Sequence, residues 1–295
     1  MAGLIRRPKV GLALGGGGAR GLAHIGVLKV LEAAHIPIDC LAGTSMGGIL
    51  AAAYAAGVLP SEMEAEALRV AQPHQLMRLL DIFPLRRDLL EGKTLRQFLH
   101  KRLGERSFAQ LQRPTALVAV DFVRGETCFL SEGKVLDAVM ATCAVPGLFP
   151  PVEIDGRVLV DGGLLDNVPA DAARALGAEV VIAVDVAPPF PRQLSPDDDA
   201  SRYGLPLPFP QLTGDLYQAL LIMTSAIVST RLQEAQPTVV IRPEMPDEIG
   251  IFLGFPHARQ AIQAGEDATR QLLSDIREAV KPSLRLNLPW AKHRA

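Results

Sequence analysis

The pentapeptide Gly43-Thr44-Ser45-Met46-Gly47 has the GxSxG spacing of a serine nucleophile carried on a sharp turn. Small residues on either side let the chain reverse and lift the serine Oγ clear of the backbone. The amide of Met46 then points near the same spot and can join an oxyanion hole. The same pentapeptide also suits a serine that only caps a helix. To attack a carbonyl, the hydroxyl needs a base. In the order Ser, acid, His used by α/β-hydrolases, only His257 and His293 fall late enough. His293 sits in a charged tail. His257 follows Pro256 at the start of a predicted helix, where a surface or capping role is the ordinary one. With no histidine in a strand-end loop, attention turns to Asp121, Asp161 and Asp185. Each stands at or near the end of a predicted strand, where ligands collect in parallel sheets. Asp161 ranks first, because Gly162 and Gly163 after it permit a tight turn and a close approach. A turn or cap role remains the commoner fate of each aspartate.

A second chemical feature is Leu14-Gly15-Gly16-Gly17-Gly18-Ala19-Arg20-Gly21, lying between a predicted strand and a predicted helix. Backbone amides in such a loop can approach a ligand, and a helix N-terminus favours an anion. A phosphate loop of the Walker kind is excluded, since no Lys-Ser or Lys-Thr follows. Gly16, Gly18 and Gly21 fit GxGxxG, and Asp39 lies near the distance expected of an acidic ribose ligand. That acid should end the second strand, however, whereas Asp39 begins it. The third reading is an oxyanion hole whose amides meet a developing alkoxide. A tight structural turn is the plainest reading, but four consecutive glycines exceed what a turn needs.

The elements that must position these residues follow from hydrophobic pattern and breakers. Val10 to Leu14 reads as a buried strand, and Arg20 to Ala34 as a helix with Leu22, Ile25, Leu28 and Leu31 on one face. Ile38 to Ala42 is a second strand and Met46 to Ala56 a small-residue helix ending at Gly57. Helices are predicted over Glu62 to Leu80, broken near Pro73, and from a Thr94 cap through Leu103. Thr115 to Val120 and Glu126 to Leu130 read as strands, and Val135 to Ala144 as a helix. Val152 to Ile154 and Arg157 to Val160 flank Asp155-Gly156, a hairpin turn signal. Asn167 caps a predicted helix to Leu176, and Val180 to Val186 is another buried strand. Leu216 to Leu232 reads as a helix, Val239 to Ile241 as a strand, and His257 to Val280 as one amphipathic helix. Strands alternating with helices predict a three-layer α/β/α fold around a largely parallel sheet. The Pro-rich stretch 187–214 reads as a partly disordered segment, or second as a lid, inside a single domain over 1–295.

Composition narrows the function classes. The chain has 295 residues, 48% of them hydrophobic and 21% charged, which is globular. Its net charge of −2 gives no general attraction to nucleic acid, so none is expected as a partner. The three cysteines, Cys40, Cys128 and Cys143, are odd in number and widely spaced. That argues against a disulfide framework and a CxxC zinc site, and a reducing cytoplasm fits best. No signal peptide is read at the start. The charge-free stretch from Cys40 to Ser61 is long enough to cross a bilayer but is mostly Gly and Ala. A buried strand followed by a buried helix is the better reading.

Three blocks, Leu14 to Gly21, Gly43 to Gly47 and Asp161-Gly162-Gly163, together resemble the patatin-like phospholipases, in particular bacterial members and the catalytic domain of neuropathy target esterase. The likeness includes Ala141 to Val152, where family members often carry Ser at the positions of Thr142 and Cys143. It covers about Val10 to Val186, with a fainter continuation around Phe252 to Gln271. The resemblance implies a Ser–Asp dyad without histidine, with Ser45 as nucleophile and Asp161 as base. It implies oxyanion donors at Gly16, Gly17, Gly18 and Met46. The implied reaction is hydrolysis of a phospholipid or lysophospholipid ester through an acyl-enzyme, with no metal and no cofactor. For such a base to work, Asp161 is expected to be enclosed and close to Ser45 Oγ, because burial raises a carboxylate's pKa.

Other residues carry weaker signals. Cys143, in an apolar helix end, reads as a buried structural thiol rather than a nucleophile. Arg20 is equally suited to a phosphate headgroup or to a carboxylate partner. Ile251, Phe252, Leu253 and Phe255 read as core cover beneath a loop, with lipid contact second. Arg86 and Arg87 suit an anionic membrane surface or a solvated helix end equally. The leading expectation is a serine lipid acyl hydrolase of the cytoplasm or the inner membrane face. Its rivals are an NAD- or NADP-binding oxidoreductase using the glycine loop, and a non-catalytic lipid-binding regulator.

Overall fold

The computed structural model describes residues 4–72, 74–76, 90–188, 210–246, 248–251 and 254–285. In chain order the first half runs β1 (Leu4–Arg6), β2 (Val10–Leu14), α1 (Ala23–Ala33), β3 (Cys40–Thr44), α2 (Met46–Ala55), α3 (Pro60–Val70), α4 (Lys93–Leu103) and β4 (Thr115–Asp121). Next come β5 (Glu126–Leu130), α5 (Val135–Thr142), β6 (Val152–Ile154), β7 (Arg157–Asp161), α6 (Ala170–Ala175) and β8 (Val180–Val184). The chain closes with α7 (Pro210–Ala235), β9 (Val239–Ile241), α8 (Ala258–Gln271), α9 (Leu273–Ala279) and β10 (Ser283–Arg285).

The main sheet has the order β6-β7-β4-β3-β2-β8-β9, with β5 also on β4. Strands β4, β3, β2, β8 and β9 run parallel, while β5, β6 and β7 pair antiparallel. Helices cover both faces, and the period-two alternation of the strands sorts side chains between them. Val10, Leu12, Leu14, Leu41, Leu117 and Ile182 meet α1, α2 and α5 on one face. Ala13, Cys40, Ala42, Ala116 and Ala183 meet α6 and the end of α7 on the other. Bulky side chains thus build the thicker layer, and the small ones let α6 lie close to the sheet. This is the three-layer α/β/α fold.

The strand β4 sets the geometry of the site. Its pairing with β5 occupies one edge from Leu117 to Asp121. The other edge is shared: Leu41 to Thr44 of β3 take Thr115 to Val118, and Asp161 to Leu159 of β7 take Ala119 to Asp121. The ends of β3 and β7 therefore meet head-on across consecutive residues of one strand, with Thr44 opposite Val118 and Asp161 opposite Ala119. The hairpin that returns β7 turns at Asp155 and Gly156, whose φ values of 50° and 73° match the turn expected of that dipeptide.

Several boundaries differ from the sequence reading. The glycine loop enters a 3₁₀ turn, Gly18–Leu22, before α1 begins. Strand β3 starts at Cys40 rather than Ile38, and just before it Asp39 pairs with Arg7 at 2.6 Å. Helix α4 is preceded by Gly92 with φ 72°, so Thr94 is not its cap. The expected helix from His257 to Val280 divides at Leu272 into α8 and α9. Helix α7 begins at Pro210, inside the stretch read as disordered or lid, and residues 189–209 of that stretch lie outside the described residues. So do Arg86, Arg87, Phe252 and Leu253. Cys40 to Ser61 forms β3, α2 and the start of α3, and no helix among the described residues is long and apolar enough to cross a membrane.

Leu117 is fully buried at the centre of β4. Leu117→Ala should lower unfolding free energy by ~2–5 kcal/mol through lost transfer energy and a residual cavity. Urea denaturation should show this as a lower midpoint at unchanged slope.

Candidate active site

Ser45 occupies the turn between β3 and α2 with φ 54° and ψ −124°, a backbone conformation strained for any residue but glycine. Glycine at 47 is required by close approach: a Cβ there would lie 2.2 Å from the Leu14 carbonyl oxygen. The Ser45 amide donates to Thr142 Oγ1 at 2.9 Å, and the Ser45 carbonyl accepts from the Ile49 amide at 3.1 Å. These two bonds hold the strained peptide from both sides.

Ser45 Oγ donates to Asp161 Oδ2 at 2.6 Å. The other carboxylate oxygen, Oδ1, accepts from the Gly163 amide at 2.7 Å, which fixes the plane of the group. The Asp161 amide donates to the Ala144 carbonyl at 3.0 Å. Asp161 is buried, and burial pushes its carboxyl up to about 6 against the lowering pull of the bonds from Ser45 and Gly163. The other two aspartates face elsewhere. Asp121 closes its own turn by accepting from the amides of Val123 and Arg124, and Asp185 accepts from the Ala187 amide and from Arg242 Nε. His257 Nδ1 bonds to Gln260 Oε1 within α8, and His293 lies outside the described residues. Burial pushes the Cys143 thiol well above its ordinary value, with the Asp161 charge adding to the effect, so it stays protonated at neutral pH.

The glycine loop lies against the serine. A Cβ at Gly16 would fall 3.1 Å from Ser45 Cβ and 2.5 Å from Asn167 Oδ1. The Gly16 amide donates to the Asn167 carbonyl at 3.0 Å, and Asn167 Nδ2 donates back to the Gly16 carbonyl at 3.1 Å. The expectation that Gly16 supplies an oxyanion donor is therefore corrected: its N–H is already engaged. Asn167 is likewise a clamp on this loop rather than a cap, since α6 starts at Ala170 after Pro169. The N–H groups of Gly17, Gly18 and Met46 have no acceptor among the described residues, and Met46 opens α2, where the helix provides none. Gly18 has φ 52°, and a Cβ there would sit 2.2 Å from the Ile251 carbonyl oxygen. Arg20 is buried, donating from Nε to the Val186 carbonyl at 2.8 Å and from Nη1 to the Ile249 carbonyl at 3.0 Å. It braces the loop against the strand ends, a role the sequence reading did not weigh.

The dinucleotide reading loses its acid. Asp39 lies just before β3, at the opposite end of the sheet from the glycines, and accepts from Arg7 and from the Val10 amide. No cluster of His, Cys, Asp or Glu among the described residues has the makings of a metal site. The sequence reading gave no role to Thr142 and only a capping role to Asn167, because both act by hydrogen bonds to backbone far away in the chain.

His24 is fully buried beneath the loop, with Nε2 2.7 Å from the Gly15 carbonyl and Nδ1 without a partner. Burial lowers its pKa to about 4. Asp166 is also buried, and burial pushes its carboxyl up to about 6, with Arg231 opposing and Asp171 adding. The two kinds of shift act in opposite directions on stability. The unfolded chain protonates His24 first, so acidification below about pH 6.5 destabilises the fold. The folded chain protonates Asp161 and Asp166 first, so acidification below about pH 6 stabilises it. In His24→Gln only the second effect remains. Relative to wild type, its unfolding free energy should rise by ~2–3 kcal/mol between about pH 7.5 and about pH 4.5, measured by urea denaturation.

The sequence pattern of the family described as patatin-like phospholipase matches residues 12–174. An uncharacterized NTE family protein of Mycobacterium tuberculosis is 36% identical over 179 residues, covering 61% of this chain and 49% of that protein. Patatin-like phospholipase domain-containing protein 6 of Homo sapiens is 35% identical over 200 residues, 66% of this chain and 14% of that protein. Lysophospholipase nte1 of Aspergillus fumigatus is 35% identical over 179 residues, 60% of this chain and 12% of that protein. The chain thus matches about half the length of the mycobacterial relative and a small part of the other two. The matched stretch is more than half of the chain and runs from β2 through Ser45 and Asp161 into α6, and the chain belongs to the patatin-like phospholipase family.

Proposed function

We propose that this protein is a serine ester hydrolase acting on phospholipid or lysophospholipid acyl esters through a Ser45–Asp161 dyad. The observation that carries the reading is the 2.6 Å hydrogen bond from Ser45 Oγ to a buried Asp161 carboxylate. Family membership and the relative named a lysophospholipase support the substrate class.

In this reading Asp161 Oδ2 takes the proton of Ser45 Oγ as the oxygen attacks the ester carbonyl carbon. The carbonyl π electrons move to oxygen, giving a tetrahedral alkoxide. The free amides of Gly17, Gly18 and Met46 are the donors proposed for that charge, helped by the N-terminus of α2. The alkoxide collapses, the bond to the leaving alcohol breaks, and the proton on Asp161 passes to that alcohol oxygen. Acyl-Ser45 remains. Water then repeats the attack with Asp161 as base, releasing the fatty acid and restoring Ser45.

A free aspartate with a pKa of ~3.9 accepts a serine proton poorly. Burial narrows that gap by bringing Asp161 to about 6. Proximity in a fixed pair and the amide donors lower the rest of the barrier.

A fluorophosphonate probe should label the wild type and not Ser45→Ala. Asp161→Asn should lose ~10²–10⁴-fold in kcat for a p-nitrophenyl ester. The base must be ionised, so kcat/KM should rise with pH through a midpoint of about 6 and then level off. A folded protein that binds acyl chains yet resists the probe would be a regulator instead. Saturable binding of NAD or NADP would favour the oxidoreductase.

A further inference from the structure

We infer that Thr142 is a positioning residue for the nucleophile, its hydroxyl holding the strained Ser45 peptide in register with Asp161; this rests on the Ser45 reaction proposed above. Thr142 ends α5 and is fully buried. Its Oγ1 accepts from the Ser45 amide at 2.9 Å and donates its one proton to the Val118 carbonyl. A hydroxyl has one proton and two lone pairs, so both bonds are made at once and their direction is fixed. Val118 is the residue of β4 opposite Thr44, and its neighbour Ala119 is opposite Asp161. The hydroxyl therefore ties the nucleophile's own amide to the strand that places its base.

Backbone strain persists only where the surroundings over-determine it. Among the described residues, Thr142 is the one side chain bonded to the Ser45 backbone. The methyl has a separate task. Thr142 Cγ2 lies 2.8 Å from where a Cβ on Gly48 would stand, so it packs against the first turn of α2. Valine keeps the methyl packing and removes the hydroxyl, whereas serine keeps the hydroxyl and removes the methyl.

Thr142→Val, Thr142→Ser and wild type should be compared for kcat, KM and the pH midpoint of kcat/KM on a p-nitrophenyl ester, below the melting temperature of each. Thr142→Val should lose ~10–100-fold in kcat with KM within about twofold, as a misplacement of order an ångström does. Its pH midpoint should move upward, because the Ser45 bond that lowers the Asp161 pKa is weakened. A purely structural role would lower melting temperature and leave that midpoint in place. Thr142→Ser should stay within about threefold of wild type with its midpoint unchanged. A valine variant with wild-type kcat overturns the inference, as does a serine variant as impaired as the valine one. If Thr142→Val does not fold, Thr142→Ala takes its place against Thr142→Ser with the same readouts. Wild-type protein without Ser45-dependent probe labelling overturns the hydrolase reading itself. Labelling of wild type with unchanged turnover in Thr142→Val overturns only the role of Thr142.

Discussion

The bond between Ser45 Oγ and Asp161 joins the ends of two strands that do not pair with each other among the described residues. Both are measured against β4, one residue apart. The separation of hydroxyl and carboxylate is thus a property of sheet register rather than of any single loop. A slip of one residue in either pairing would turn the side chain to the other face and abolish the contact. The surrounding structure protects that register: bulky side chains fill one face of the sheet, small ones the other, and β5 occupies the free edge of β4.

Burial gives the pair its chemical character. A carboxylate removed from water is a stronger base, and with two good hydrogen bonds it remains a satisfied one. Around it the glycine loop is braced by Val184, Asn167, Ile251 and Arg20, so the unengaged amides of Gly17 and Gly18 are held in a rigid frame. Preorganised donors need no rearrangement when charge develops, which is why bracing matters more to such a site than the number of glycines. The Gly16 amide illustrates the division of labour: it is spent on the brace.

Much of this was legible in the chain itself. The GxSxG pentapeptide, the glycine run and the Asp-Gly-Gly block are local signals, and hydrophobic period plus breakers located the strands on which they ride. Among Asp121, Asp161 and Asp185, all at or near strand ends, Asp161 ranked first only through the glycines that follow it. What brings Asp161 to the serine is that β7 meets β3 end to end along β4, and no periodicity carries that information. The same holds for Arg20, whose partners are backbone carbonyls at 186 and 249. Capping was misread at Asn167 and Thr94 for a related reason: a local rule competes with tertiary hydrogen bonds, and the tertiary bonds prevailed at Asn167.

By itself, then, the sequence determined the α/β layering, the presence of a serine on a sharp turn and the family resemblance, since these depend on contacts between near neighbours. Only the tertiary structure decided which carboxylate meets the serine, which amides remain unengaged, and that Thr142 bridges Ser45 to β4. The physical reason is range. Helix and strand periods are written in spacings of two to four residues, whereas the bonds that build the site span separations of 97, 116 and 151 residues. Those are set by strand order and register, which the packing of the whole core fixes together.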